Sequence, residues 1–214
     1  MKNYHGTIKE IDYKTAIDFI MPRHYANRKP QYKIAFGWYD ENNILKAVCC
    51  FGKPASPTLC KGILGENYSS NVYELNRLVR EEDWNYPLSQ LVGYSLRQLK
   101  KYNWIIVSYS DTAMHHNGYI YQACNFLYTG QTKKRTDKYT KGNKHSRHYN
   151  NEEQNGYRKI RSAKNRYVYF CTNNKKIKKE WLNNLKYPIL QYPKEENKNY
   201  KLGEFLKPDI IKTK

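Results

Sequence analysis

The sequence has 214 residues, and its 38 lysine and arginine residues outnumber its 19 acidic residues, which gives a formal net charge of +19 at pH 7. No apolar run approaches the roughly 18 residues that a membrane-spanning helix needs. The N-terminal stretch "MKNYHGTIKEIDYK" also lacks the apolar core of a secretory signal. We therefore expect a cytoplasmic protein, folded as one domain over residues 1–214, whose partners are polyanions.

The first elements predicted along the chain are a helix and a hairpin. The helix follows Asp12 or Thr15 as its cap, carries apolar residues at helical spacing and ends at Pro22. Residues 32–40 and 44–52 have the alternation of strands, and the short polar stretch between them predicts a turn. The apolar helix positions are Ala16, Ile17, Phe19 and Ile20.

A loop, a strand and a second helix follow the hairpin. Residues 53–71 contain two prolines and two glycines and are predicted to form a long loop. Residues 72–80 have the pattern of a strand, and Ser89 is predicted to cap the helix behind it. Strict alternation divides the strand into two faces, with Tyr73, Leu75 and Arg77 on one and Glu74 and Asn76 on the other.

The second half of the chain alternates strands with short helices. Residues 104–110 are fully apolar until they reach serine and tyrosine, which is typical of a central strand. The whole order predicts an α/β fold with a mixed central sheet flanked by helices. The remaining predicted elements are a helix at 118–126, strands at 127–134 and 157–171, a helix at 175–185 and an irregular tail from about 188.

The basic charge is concentrated in one part of the chain. Residues 131–180 contain 16 lysine and arginine residues and only 4 acidic ones. An AT-rich coding sequence also enriches lysine, but it would do so evenly. We expect residues 131–157 to form a basic loop or insertion that contacts phosphates, with tyrosine and histidine interleaved among the cations. A disordered solubilising loop is the alternative.

The five cysteines do not form a metal-binding or redox pattern. Their number is odd and none is part of a C-x-x-C pair. We expect reduced, mostly buried thiols. They are Cys49, Cys50, Cys60, Cys124 and Cys171.

Proton-handling side chains crowd the end of the predicted central strand. Ser108, Ser110 and Asp111 close this strand, and two histidines and two tyrosines follow within ten residues. Ligands of open α/β sheets gather where central strands end. A carboxylate, an imidazole and a phenol in one cleft can carry out general acid–base chemistry. A capped turn with solvated histidines would explain the same residues without any chemistry.

Two further groups of residues are candidates for the same cleft. Glu74 and Arg77 interrupt an otherwise apolar strand, where charges are costly unless they are paired or face a cleft. His24 and Tyr25 follow the first helix. His24, Asp111 and His116 could form a two-histidine, one-carboxylate metal site, but we expect no metal and favour acid–base chemistry.

The stretches "FIMPRHY", "YELNRLV", "SLRQLKK", "IIVSYSDTAMHHNGYIYQACNFLYTG" and "KNRYVYF" together resemble the Mom family. These phage proteins modify adenine in DNA so that host restriction enzymes no longer cut it. The resemblance covers roughly residues 14–192. It implies a GNAT-like acyltransferase fold, the product N6-carbamoylmethyladenine, double-stranded DNA as the partner with its target adenine flipped out, and a location in the host cell cytoplasm.

The resemblance also implies roles for individual residues. Asp111 would hydrogen-bond or deprotonate the N6 amine, with His24 or His116 as the partner base. Tyr121 would act as an acid toward the departing donor group. Residues implied to bind the substrate are Tyr25, Glu74, Arg77 and Ser108.

The donor implied by the fold is acetyl-CoA or a related acyl or aminoacyl donor. Its pyrophosphate would lie against Val79, Leu88 and Ser89, at the start of a helix. The stretch "REEDWNYPLSQL" departs from the usual pattern because it has no glycine-rich loop.

Two other functions fit parts of this sequence. A GNAT-like acyltransferase acting on a protein or small-molecule amine would turn over acyl-CoA without changing DNA. A non-enzymatic, basic nucleic-acid-binding protein would bind DNA through residues 131–180 alone. The cluster at 108–121 argues against the second function, since a binding protein does not need it.

Overall fold

Seven strands form one mixed sheet in the computed structural model, which describes residues 5–26, 28–139, 156–194, 202 and 209–212. The sheet has the order β1-β2-β3-β4-β5-β9-β6, and a second, three-stranded sheet has the order β10-β8-β7. The strands are β1 (Thr7–Ile11), β2 (Ile34–Tyr39), β3 (Leu45–Gly52), β4 (Val72–Arg80), β5 (Trp104–Asp111), β6 (Leu127–Gln131), β7 (Arg135–Lys138), β8 (Tyr157–Arg161), β9 (Lys164–Cys171) and β10 (Ile210–Lys212).

Helices cover both faces of the large sheet. One face packs against α3 and α4, and the other packs against α1, α2 and α5. The strand β5 is therefore buried on both sides, which explains its continuous apolar run. The helices are α1 (Tyr13–Ile20), α2 (Pro57–Leu64), α3 (Leu88–Leu99), α4 (Tyr119–Ala123) and α5 (Lys175–Asn184).

The first helix and the hairpin agree with the sequence prediction. The Asp12 carboxylate accepts hydrogen bonds from the backbone N–H and the hydroxyl of Thr15, so Asp12 is the cap of α1. All four predicted apolar positions of α1 are buried. The hairpin is formed by β2 and β3, which are antiparallel.

The predicted loop at residues 53–71 is wrong. It contains α2, which Ser56 caps by accepting the backbone N–H of Leu59, and a short 3₁₀ helix behind it. Proline is tolerated in the first turn of a helix, where its missing N–H would have no partner. Pro57 therefore begins this helix instead of excluding it.

The cap predicted at Ser89 is also wrong. The helix α3 begins at Leu88, with Pro87 in the N-cap position and no side chain accepting a hydrogen bond there. The extended backbone of Pro87, with φ −62° and ψ 118°, sets the direction of the chain into the helix. Ser89 lies in the first turn.

Three further segments differ from the prediction. The edge strand β1 was not predicted, because only two of its five residues are buried and it shows no alternation. The predicted strand at 157–171 is two strands, β8 in the small sheet and β9 in the large one. The predicted basic loop contains β7, and residues 140–155 of it lie outside the described residues.

The tail and the cysteines complete the fold. The backbone N–H of Leu190 donates to the carbonyl of Tyr128, so the first part of the tail covers the edge strand β6. The five cysteines form no disulfide, and four of them are buried, with Cys124 half-buried. Within the described ranges, no helix has both the length and the apolar character needed to cross a bilayer.

Candidate active site

The site begins where the neighbouring strands β4 and β5 separate. They pair in parallel from Val72 and Ile105 as far as Leu75 and Ser108, and no pairing follows among the described residues although both strands continue. The gap is part of a cleft of about 1130 Å³. Backbone groups and side chains of both strands are therefore open to a ligand, which is the situation expected of a binding site in an α/β sheet.

A β-bulge in β4 determines which side chains face the cleft together. Cys50 of β3 pairs with Arg77, and Phe51 pairs with Leu75, so Asn76 is the extra residue. The bulge places Arg77 on the same face as Glu74, since their neighbours Val72 and Val79 pack on that face while Tyr73, Leu75 and Leu78 pack on the other. The predicted faces, which separated Glu74 from Arg77, are wrong because strict alternation cannot anticipate an inserted residue.

Glu74 is half-buried, and its side chain lines the cleft. Burial raises the pKa of Glu74, and the positive charges of Arg77 and Lys164 offset only part of that effect. Within the described chain, Glu74 forms no ion pair or hydrogen bond through its side chain. It is thus a carboxylate with raised basicity and no competing partner, which is the requirement for a general base.

Arg77 is held by backbone carbonyl groups. Its guanidinium donates to the carbonyl oxygens of Asn76 at 2.6 Å and of Arg28 at 2.9 Å. Its Nε atom is buried and has no hydrogen-bond partner among the described residues. These contacts fix the positive charge beside Glu74 without neutralising it.

Ser108 lies on β5 and Tyr121 lies on α4. The Ser108 hydroxyl donates to the carbonyl of Leu75 at 2.9 Å. Burial raises the pKa of Tyr121 to about 12. Tyr121 lines the cleft and remains protonated at neutral pH, so it can donate a proton there. Ser108 is fully buried, and its bond to Leu75 holds the last paired residues of β4 and β5 together.

Asp111 lies behind the wall of the cleft and does not line it. Its carboxylate is within 3.1 Å of the Lys164 ammonium and accepts hydrogen bonds from the Ser162 hydroxyl and the Ala113 backbone N–H. Burial would raise the pKa of Asp111, but Lys164 and these hydrogen bonds outweigh burial and lower it. Asp111 is therefore a fully engaged anion that positions Lys164 in the cleft.

His24, Tyr25 and His116 form an aromatic group on the cleft wall. The rings of His24 and Tyr25 stack with centroids 4.4 Å apart, and His116 meets Tyr25 edge-on at 6.1 Å. Burial, together with Arg77, Lys164 and His116, lowers the pKa of His24 well below its usual value. Burial also lowers the pKa of His116, although Asp111 opposes this effect. Both imidazoles are therefore neutral at pH 7.

The protonated nitrogen of His24 follows from its hydrogen bond. The Nδ1 atom of His24 accepts the backbone N–H of Ala26 at 3.0 Å. Neutral imidazole carries a single proton, so that proton is on Nε2. His24 can thus donate a hydrogen bond to a ligand but is not placed to accept a proton.

The three residues predicted to contact the donor do not share one environment. Val79 and Leu88 line the cleft, whereas Ser89 does not. The backbone N–H of Glu81 donates to the carbonyl of Lys46 in β3. Backbone N–H groups of successive residues in a strand point in opposite directions, so the N–H of Arg80 points away from β3 and into the gap. This geometry fits an acyl or aminoacyl chain laid along β4.

The loop between β4 and α3 does not fit the diphosphate of coenzyme A. It has no glycine, and the carboxylates of Glu81 and Glu82 line this end of the cleft. Glu81 is paired with Arg23 at 2.6 Å, whereas the one hydrogen bond of the Glu82 side chain among the described residues is from the backbone N–H of Leu202. A diphosphate here would meet a negative charge where a phosphate loop supplies backbone N–H groups.

Several residues on the cleft wall were not predicted. Lys164 and Arg166 begin β9, and Ser162 precedes it. Charged residues at the start of an apolar strand were the available signal, but they were attributed to the general basic character of residues 131–180. Among the residues described, no group of three or more histidine, cysteine or acidic side chains could hold a metal ion.

Comparison with known proteins gives one family and one fold. The sequence profile of the Mom protein family matches residues 5–194. A search of curated protein sequences finds no match. The structure of a GNAT superfamily phosphinothricin acetyltransferase from Sinorhizobium meliloti, in complex with AcCoA, superposes with a TM-score of 0.50 and 6% identity over 81% of this chain and 92% of that chain.

Two other solved structures are similar. An N-acetyltransferase from Staphylococcus aureus Mu50 has 12% identity and a TM-score of 0.48 over 78% of this chain and all of that chain. A ribosomal-protein-S5-alanine acetyltransferase from Vibrio fischeri has 8% identity and a TM-score of 0.47 over 81% of this chain and 97% of that chain. The fold is thus the GNAT fold that the resemblance implied, and the family match together with this fold supports a transferase.

Proposed function

Because the chain belongs to the Mom protein family, we propose that it is a transferase that converts adenine in double-stranded DNA to N6-carbamoylmethyladenine and so protects the DNA from host restriction. The observation that carries this proposal is the half-buried Glu74 carboxylate, which lines the cleft, has a raised pKa and is not engaged by any described residue. The exocyclic amine of adenine is a poor nucleophile because its lone pair is delocalised into the ring. A base that can remove its proton is therefore the central requirement.

Glu74 is the better base of the two candidate carboxylates. A general base must reach the proton and must be basic enough to take it. Glu74 lines the cleft and its pKa is raised, while Asp111 is screened from the cleft and its pKa is lowered by Lys164. We assign proton removal from N6 to Glu74, and we assign to Asp111 the positioning of Lys164.

The aromatic group would hold the acceptor base. The Tyr25 ring and the stacked His24 ring present flat faces at the cleft, and aromatic faces stack on bases of any sequence. Arg77 and the Nε2–H of His24 are donors for the ring nitrogens of adenine, which are acceptors. An adenine within a duplex hides its N6 amine in the stacked and paired helix, so the base would be flipped out to reach the cleft.

Tyr121 would supply the second proton transfer. Tyr121 is protonated at neutral pH because burial raises its pKa to about 12. A protonated phenol on the cleft wall can give its proton to the group that leaves the donor. Attack on the carbonyl carbon of an acyl or aminoacyl donor would give an N6-amide, so the carbamoylmethyl product requires the amine to attack a methylene carbon of the donor that bears the carboxamide and to displace the leaving group from it. The acidic loop before α3 argues for a donor without a diphosphate at that end.

The proposal is tested by restriction of plasmid DNA from cells that express the protein. Enzymes whose sites contain adenine should fail to cut this plasmid, because the modified N6 group projects into the major groove. Enzymes whose sites contain only G·C pairs should cut it normally and serve as the matched control. Complete cutting by both sets, with the protein present at normal levels, would contradict the proposal and favour an acceptor other than DNA.

A further inference from the structure

The face of the small sheet that meets the cleft is basic and is built from a four-residue cross-strand cluster. Arg135 of β7 pairs directly with Arg161 of β8, and Asp137 pairs with Lys159. Residues two apart on a strand share a face, so these four side chains lie together. Arg135 and Arg161 line the cleft, which identifies this as the inward face.

The cluster contains three cationic side chains and one carboxylate, that of Asp137. Asp137 is 3.2 Å from Arg161 and 3.9 Å from Arg135, so one carboxylate serves two guanidinium groups. Within the described chain, Lys159 forms no ion pair. Like charges directly opposite one another, as Arg135 and Arg161 are, destabilise an antiparallel pair. A bound anion would offset the repulsion between these two guanidinium groups.

A second segment adds charge at the same place. Arg28, in the loop after α1, lines the cleft. Partial burial and the positive charges of Arg28 and Arg161 together lower the pKa of Lys159, which Asp137 offsets only in part. Two segments far apart in the sequence thus bring positive charge to one point, beside the wall that carries His24 and Tyr25.

We propose that Lys159, Arg161, Arg135 and Arg28 form a binding site for the sugar–phosphate backbone of the nucleic-acid substrate, next to the nucleotide whose base enters the cleft. The site rests on the proposed function for its ligand, because a phosphodiester backbone is the anion that a flipped base brings to the mouth of the cleft. It differs from a general basic footprint because it is confined to one face of the small sheet.

The opposite face of the small sheet supplies a matched control. Thr136, Lys138, Arg158 and Ile160 alternate with the inward residues and do not line the cleft. Arg158 donates to the hydroxyl and carbonyl of Thr136, which gives it a structural role. Lys138 is exposed and forms no ion pair among the described residues. Lys159→Met and Lys138→Met therefore remove the same charge from opposite faces of one sheet.

The experiment measures binding of a short DNA duplex to each full-length variant over a series of salt concentrations. Lys159→Met should weaken binding several-fold and lower the slope of log K against log[salt] by about 1. Lys138→Met should leave both quantities close to those of the unaltered chain. A second duplex carries an uncharged methylphosphonate in place of the phosphate beside the target adenine. If the site holds that phosphate, the Lys159→Met variant and the unaltered chain should bind this duplex equally weakly, and so should Lys138→Met.

The outcomes separate this inference from the proposed function. Equal losses in the two variants, or no loss in Lys159→Met, would overturn the phosphate site even if the DNA is modified. A loss confined to Lys159→Met supports the site even if no adenine is modified, and in that case the proposed reaction fails and the nucleic-acid site stands. Far-ultraviolet circular dichroism and thermal unfolding confirm that both variants are folded.

Discussion

Glu74 is a half-buried carboxylate in the cleft and Asp111 is a buried one behind its wall, and their neighbours give them opposite chemistry. Burial is the largest effect on the pKa of Glu74. The charges of Arg77 and Lys164 oppose it only in part, so this pKa is raised. Asp111 has Lys164 at 3.1 Å and two hydrogen-bond donors, so its pKa is lowered despite burial. The immediate partners of a carboxylate, more than its depth, thus decide whether it can accept a proton.

Glu74→Gln should reduce adenine modification by about 10²- to 10⁴-fold, the usual contribution of a general base. The amide keeps the shape of the side chain, so the loss isolates the proton acceptor. Initial rates of modification in purified duplex DNA check this. Glu66→Gln, which alters an exposed glutamate paired with Lys61, is the control and should have no effect. A Glu74→Gln variant with full activity would contradict the assignment.

The same substitution has a pH-dependent effect on stability. Because the folded-state pKa of Glu74 is raised, the stabilisation from its protonated form is complete below the usual range near 4.5 and is lost as pH rises through the folded-state pKa. Glu74→Gln should therefore gain stability relative to the unaltered chain as pH increases. Thermal unfolding at about pH 4.5 and about pH 7.5 measures the change, and a larger gain at the lower pH would be inconsistent with a raised pKa.

Asp111 and Lys164 should act as a coupled pair. Asp111→Asn leaves the Lys164 ammonium without its anion, and it should lower the free energy of unfolding by about 1–3 kcal/mol. Lys164→Met should do the same for Asp111. The double variant should lose less than the sum of the two single losses, and urea unfolding of all four chains gives that coupling. Additive losses would mean that the two side chains do not support each other.

At the scale of elements, the turn into α4 places Tyr121 and depends on one glycine. Gly118 precedes α4 with φ +80°, where side chains are strained, and a Cβ there would overlap the Tyr167 ring. The Tyr167 hydroxyl donates to the Asn117 carbonyl and holds the same turn. The close approach of this turn to Tyr167 therefore requires glycine.

Gly118→Ala should lower the free energy of unfolding by about 1–3 kcal/mol and reduce modification by displacing Tyr121. Gly93→Ala provides a control of opposite sign. Gly93 lies inside α3, where a Cβ would meet only the end of the Arg97 side chain at 3.5 Å. Alanine should stabilise that helix by roughly 0.5–1 kcal/mol. Urea unfolding compares the two, and a tolerated Gly118→Ala would show that the turn does not need this conformation.

The sequence predicts those elements whose position is set by neighbouring residues along the chain. The cap at Asp12, the hairpin and the buried strand β5 follow from spacing and alternation. The bulge at Asn76 does not, because an inserted residue is set by pairing with β3 and leaves no mark on the pattern. The prediction therefore identified Glu74 and Arg77 as candidates but separated them by one face of the sheet.

The cleft is lined by several of the residues predicted for the site, and the role proposed for Asp111 differs from the one predicted from the sequence. Asp111 was chosen as the base because it follows a central strand. Its partners Ser162 and Lys164 come from a segment about 50 residues later, so nothing local to Asp111 reveals that its carboxylate is engaged. The placement of β7 and β8 depends on tertiary pairing for the same reason.

At the scale of the whole molecule, charged side chains from different segments line one cleft. Arg28, Arg135 and Arg161 belong to the loop after α1 and to the small sheet, whereas Glu81 and Glu82 belong to the loop before α3. Under the proposed function, the first group would attract the phosphates of DNA and the second would repel them, which would restrict how DNA can lie across the cleft. Glu74 and Tyr121 line the same cleft, where the adenine amine would meet the donor.

The most direct measurement is the nucleoside composition of plasmid DNA from cells that express the chain, read by mass spectrometry after complete digestion. We expect N6-carbamoylmethyldeoxyadenosine in DNA from cells with the unaltered protein, little of it with Glu74→Gln, and normal amounts with Glu66→Gln. Deoxyadenosine that is wholly unmodified in the presence of the folded, unaltered protein would contradict the proposed adenine modification.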